Sequence, residues 1–194
     1  MAALPAAANA LVTKADAKEW LGLTETTMDD FIQRSINNWS DKFEHSTGRS
    51  IISAEHVDEV HDGGVYYIMP NNPPITTLTY IHVNDSAIPT TEYTVNQSGS
   101  IIRRKNGKKW SGGAGSVELK YTGGYAADAV PGDIQQVFLQ IIALEFYLSG
   151  KSGRKALSKK GESFAGQSVT YQVSPQDQKK IFNEIVTAYK RRSK

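Results

Sequence analysis

Residues 117–148 read VELKYTGGYAADAVPGDIQQVFLQIIALEFYL, and the fold is decided there. Val117, Leu119 and Tyr121 alternate with Glu118 and Lys120, the two-residue period of a strand with one buried face. Gly123-Gly124 breaks that strand, because glycine tolerates backbone angles that other residues avoid. Pro131-Gly132-Asp133 then opens a helix, with Asp133 placed to cap the first free amides. Ile134, Val137, Phe138, Ile141, Ile142, Leu144 and Leu148 recur at steps of three and four. That apolar face is wider than one stripe, so the helix should be packed on more than one side. It is the expected core helix.

Upstream, residues 1–12 form an Ala-rich leader expected to be flexible. Thr13 and Asp16 are spaced as a capping box, starting a short helix that buries Ala17, Trp20 and Leu21 and ends near Gly22. Thr24 is read as the cap of a longer helix with Met28, Phe31, Ile32, Ile36, Trp39 and Phe43 on one face, closed by Gly48. Asp29, Asp30, Arg34, Asn37, Asn38 and Asp41 fall on its other face.

Between Ser50 and Tyr125 the period changes to strands and turns. Residues 51–60, 65–69 and 75–83 look extended, and Asn71-Asn72-Pro73-Pro74 excludes a helix. Tyr93 and Val95 pair with Ile101 and Ile102 across Ser98-Gly99, and Asn106-Gly107 is the strongest hairpin signal in the chain. A compact antiparallel β lobe follows.

After Leu148 comes a polar segment expected to be a mobile loop, then a short strand through Val169, Tyr171 and Val173. Ser174-Pro175 starts a last helix with Ile181, Phe182, Ile185, Val186 and Tyr189 on one face. The whole reads as an α+β chain of 194 residues: a helical bundle core over 13–149, a β lobe inserted at about 50–125, and a basic C-terminal segment over 150–194. That segment holds eleven Lys and Arg against three acidic residues, which suits an acidic partner, a nucleic acid, or simple solvation.

No residue set marks a catalytic site. With no cysteine there is no disulfide, thiolate metal site or thiol nucleophile. Gly150-Lys151-Ser152 lacks the upstream glycine of a phosphate loop and follows a helix instead of a strand. Gly112-Gly113-Ala114-Gly115 has no helix behind it to hold a phosphate, and reads as a floppy hairpin loop. In the stretch from Glu55 to Asp62, a regular strand points His56 and His61 to opposite faces, so a solvated edge is expected there. The N-terminus is a poor signal peptide, which favours an intracellular, soluble product. Arg103-Arg104-Lys105 and Lys108-Lys109-Trp110 interleave basic groups with an aromatic around one hairpin. They read as a phosphate-contacting loop or as a charged tip that keeps a sheet edge from aggregating.

Leu119, Tyr121, Gly124, Tyr125, Val130 and Pro131, followed by the apolar helix, form a pattern that resembles the head–tail connector (adaptor, head completion) proteins of tailed bacteriophages. The opening helix pair ending in Thr47-Gly48-Arg49 and the β lobe are similar to the longer members of that family. The resemblance implies a non-enzymatic virion protein without cofactor or metal, sitting at the neck as a ring, typically of twelve copies. Its partners would be the portal, a stopper or tail-side connector, and the DNA passing through the channel. It also implies a C-terminal docking role, here assigned to Ile181, Phe182, Ile185, Tyr189, Lys190, Arg191 and Arg192. Arg103, Arg104, Lys105, Lys108 and Lys109 become the candidate DNA-channel residues or charged hairpin. The alternative is a monomeric nucleic-acid-binding accessory protein acting through the basic C-terminal segment.

Overall fold

The computed structural model describes residues 3–149, 162–164, 167–169 and 175–190. It divides into two compact units, one built from residues up to Gly48 and from Val130 to Lys190, the other from Arg49–Ala129.

The first unit is helical: α1 (Lys14–Leu21), α2 (Asp29–Thr47), α3 (Gly132–Leu148) and α4 (Pro175–Tyr189). The Thr13–Asp16 capping box forms in both directions, and Gly22 and Gly48 end α1 and α2 in the left-handed conformation. The caps expected at Thr24 and Asp133 do not form. α2 starts at Asp29, whose carboxylate sits in the first turn, is bound by Lys14 and Lys18, and is held below its ordinary range by them. In α3 the Asp133 carboxylate accepts from Ile134 N–H, already inside the helix, and from the Tyr189 hydroxyl at 2.9 Å.

α3 packs against α1, α2 and α4, with Ile134, Phe138, Ile141, Ile142 and Phe146 buried. Phe43 of α2 meets Phe138 edge-on at 5.5 Å and Phe182 of α4 at 6.1 Å. Trp39 lies 5.2 Å from Phe182, and its indole N–H donates to Glu145 at 2.7 Å.

Part of the leader bonds to α2. Leu4 N–H donates to Asp30, Ala7 N–H to Asn37, Leu11 N–H to Ser40, and the Asn9 amide to Asp41 and Glu44. Side chains of α2 thus accept from the backbone N–H groups of Leu4, Ala7 and Leu11, and Leu11 and Val12 are buried.

The second unit holds two antiparallel sheets. In the first, β1 (Ala54–His61), β7 (Val117–Gly123), β3 (Ile75–Val83) and β4 (Ser86–Ala87) lie in that order. In the second the order is β2 (Tyr67–Ile68), β6 (Ile102–Arg104), β5 (Tyr93–Val95). Ile68, Tyr93 and Ile102 meet Ile81, Val83, Val117, Leu119 and Tyr121 in one core with Trp110. Asn106-Gly107 makes no hairpin: the chain takes a single 3-10 turn over Lys105–Gly107, and the next strand begins only at Val117. The glycine loop is exposed and Gly113 has open space around it, while a Cβ on Gly112 would collide with the Ser116 side chain.

Most of the expected loop from 149 to 166, with Tyr171 and Val173 of the expected strand, lies outside the described residues. Within them, β8 (Glu162–Phe164) pairs antiparallel with β9 (Gln167–Val169).

α4 is therefore part of the first unit's core. Phe182→Ala should lower the stability of that unit by about 3–5 kcal/mol in chemical denaturation. An unchanged midpoint would show that α4 does not pack there.

Candidate functional site

The β lobe's chemistry follows from how its strands alternate. Each sheet turns one side to the shared core, so residues of opposite parity form the outer faces. On the three-stranded sheet, Ile68, Ile102 and Val95 share the inner row by register, and Tyr67, Arg103 and Thr94 share the outer one. Arg103 is exposed, and Lys105, Lys108 and Lys109 follow it, also exposed. The Lys109 ammonium stands 5.0 Å from the ring centre of Tyr66, a cation–π distance. Tyr66 and Tyr67 are 58% and 42% exposed.

Arg104 differs from its neighbours. It is half-buried, paired with Glu92, and lies 5.6 Å from the Trp110 ring. Trp110, the aromatic expected in the patch, is wholly buried, with no hydrogen-bond partner for its indole nitrogen. The exposed aromatics are the two tyrosines instead. Alternation accounts for Tyr67, which the register puts outside; Tyr66 precedes the strand and is exposed beside Lys109.

The Glu55–Asp62 stretch is only partly the solvated edge expected. A bulge between His56 and Glu59, with Asp58 at φ 57°, inserts a residue and reverses the alternation. His56 and His61 therefore share the inner side, opposite Tyr121 and Val117, contrary to the regular-strand expectation. They hold no metal set: among the described residues no three His, Asp or Glu side chains converge.

Instead they flank a hydrogen-bonded network around Glu59. One Glu59 oxygen receives Asn71 N–H at 2.8 Å and contacts His61 Nε2 at 2.7 Å; the other accepts from the Tyr121 hydroxyl at 2.7 Å. Asn72 N–H donates to that hydroxyl in turn, and its side-chain oxygen accepts from Ser50 N–H. Burial pushes the Glu59 carboxyl up, but the bonds from His61, Tyr121 and Asn71 outweigh it and hold it below its ordinary range. Burial, and then the Glu59 carboxylate, raise the Tyr121 phenol far above its usual range. The network joins β1, β7 and the 71–74 turn.

On the C-terminal helix, Phe182 is 3% and Ile185 8% exposed, in a groove made by the chain's own bundle. Ile181 is half-buried, Tyr189 binds Asp133, and Lys190 is exposed with Lys179 and Lys180. Arg191 and Arg192 lie outside the described residues. The apolar side of the expected docking helix is thus occupied within the chain, leaving its basic side outward.

What these surfaces offer is charge and exposed aromatic area, the chemistry of binding another macromolecule. The sequence profile of the head completion protein family matches residues 10–192, and the chain belongs to that family. Its role is that of a structural protein of the virion's head–tail connection. Its fold is similar to a chain in the neck of an empty gene transfer agent particle computed with C6 symmetry: 14% identity, TM-score 0.57, covering 100% of this chain and 96% of that one. It is also similar to a chain in the virion of the native gene transfer agent particle, at 13% identity and TM-score 0.56 with the same coverage. No curated protein matches by sequence. No described helix is long and apolar enough to cross a membrane.

The Glu59 network has a pH signature. Its carboxyl titrates lower folded than unfolded, so its contribution is full above the ordinary range near about pH 4 and is lost as pH falls through the folded value. Glu59→Gln should cost about 1–3 kcal/mol at neutral pH. In urea unfolding, the gap between the two proteins should close as the pH is lowered from about 5 to 3. Parallel pH curves would show that Glu59 is not so held.

Proposed function

We propose that copies of this chain form a ring, with twelve as the expected number, beneath the portal of a tailed-phage-like head. There the ring extends the DNA channel and presents the seat for a stopper or tail-side connector. The reading rests on one observation, the family match over residues 10–192. It is supported by the fold likeness to a neck chain whose structure was computed with C6 symmetry, since six-fold symmetry about an axis requires several copies. The role is architectural: binding surfaces, with no catalysis, cofactor or metal.

Docking to the portal falls to the outward side of α4, where Lys179, Lys180 and Lys190 are exposed; Arg191 and Arg192 come next in the sequence. Charges of this kind speed and orient the encounter with acidic groups, so attachment should weaken as salt is raised. Phe182, Ile185 and Tyr189 act from behind, holding α4 in place.

Heads assembled without the chain should carry a portal yet fail to join tails, and purified protein added back should restore joining. Electron microscopy of restored heads should show a closed ring of many copies with a hole wide enough for duplex DNA. One copy per particle, or tail joining unaffected by its loss, would overturn the reading. Salt-sensitive DNA binding by a monomer, with no ring on heads, would support the accessory nucleic-acid-binding role instead.

A further inference from the structure

The two outer faces of the β lobe carry opposite charge. Both sheets contribute their inner rows to a single core, so their outer rows lie on opposite sides of the lobe. One side is the Tyr66, Tyr67, Arg103, Lys109 face. Among the described residues Arg103, Lys105 and Lys108 form no ion pair, and Lys109 sits over Tyr66 alone.

The other side belongs to β1, β7 and β3. By register Val60, Glu118 and His82 form one row and Glu55, Thr122 and Thr77 another. The Tyr80 hydroxyl lies 2.6 Å from Glu118 and 3.0 Å from Asp58, which places Asp58 on this side, and Lys120 pairs with Glu55 at 3.1 Å. Asp62 follows at the end of β1, and acidic groups outnumber Lys120 across the face. Val57 and Val60 stand among them, 50% and 55% exposed.

Five large hydrophobic side chains are exposed among the described residues; two lie on the basic side, two on the acidic side, and the fifth is Trp20. Exposed apolar area bordered by charge is the make-up of a protein interface, an apolar centre with a polar rim. We propose that the basic Tyr66–Tyr67–Arg103–Lys109 face of one copy docks on the acidic Val57–Val60–Glu55–Glu118 face of the next copy. The inference rests on the ring reading above and names the surface that closes the ring.

The occupant follows from complementarity. Like faces repel, which disfavours a two-fold dimer through either of them. Unlike faces attract on opposite sides of the same lobe, which is a head-to-tail contact, the kind that forms a ring when the rotation between copies closes. A nucleic acid would use only the basic face and leave Val57 and Val60 in water. Burial of the valines against the tyrosines supplies the contact, and the charges set its direction.

The test exchanges the charges. One variant carries Arg103→Glu, Lys108→Glu and Lys109→Glu, making both faces acidic. The other carries Glu55→Lys, Glu118→Lys and Asp62→Asn, which makes both faces basic and leaves Val57 and Val60 in place; the asparagine keeps an acceptor for Gly115 N–H, which bonds Asp62 at 2.8 Å. Wild type should form rings on heads made without the chain, and each variant alone should show an about tenfold or greater loss. An equal mixture should restore rings, because the two variants can alternate around an even-numbered circle.

A second measurement does not depend on the variants' stability. The chain has no cysteine, so Val60→Cys with Tyr67→Cys, oxidised on heads, should give a ladder of linked multimers, and neither single change should. Rings from either charge variant alone, no restoration by the mixture, or no ladder would overturn the proposal. So would loss of duplex DNA retention by the first variant with rings intact, which would make the basic face a nucleic-acid surface. If wild type forms no ring on these heads, the ring reading falls and this contact with it.

Discussion

Phe43 is the point on which the helical unit depends. It is wholly buried, with Phe138 of α3 edge-on at 5.5 Å and Phe182 of α4 at 6.1 Å, so one ring joins three helices distant in sequence. Edge-to-face contacts add to simple burial, since the positive rim of one ring meets the negative face of another. The Trp39–Glu145 and Tyr189–Asp133 bonds lie around this cluster and orient α3 and α4 without carrying the burial. Once Phe182 is inside, the polar side of α4 has to face outward, and a basic surface results. Packing therefore decides which part of the helix is left for a partner.

In the β lobe the same coupling of packing to surface works through parity. The bulge in β1 and the two register shifts in β3 each insert a residue, and each reverses which side chains face the core. In β3 the bulge between Leu78 and Tyr80 allows Leu78, Ile81 and Val83 to reach the same core. In β1 it brings Glu59 and both histidines inward while leaving Val57, Asp58 and Val60 outside. The inward carboxylate is tolerated because three donors surround it. The outward valines remain as exposed apolar area on an acidic face.

Much of this was legible from residues alone. The helix from 132, its several-sided packing, the capping box at Thr13, the strand through Leu119 and Tyr121 and the pairing across Ser98-Gly99 all follow from period and turn chemistry. The rest depended on tertiary context. The Ala-rich leader looked free because nothing in its own sequence shows that Asn37, Ser40 and Asp41 will bind it. Asn106-Gly107 suits a two-residue hairpin, but a hairpin also needs a strand immediately after it, and Lys108 to Ser116 supplies none. A bulge leaves no mark on a period of two, so the histidines were placed on opposite faces. The basic residues of the candidate face were found by sequence, its tyrosines were not, and Trp110 was taken for surface because amphipathic rings suit either place.

In the proposed ring each copy keeps α4 in its own bundle and meets its neighbours through oppositely charged faces of the β lobe. Electron cryo-microscopy of a neck containing this chain tests it most directly. The expected map has Phe182 against Phe43 of the same copy, and Arg103 and Tyr67 of one lobe facing Val60 and Glu118 of the next. A ring whose lobes stand apart, or whose α4 is seated in a neighbour or in the portal, would contradict it.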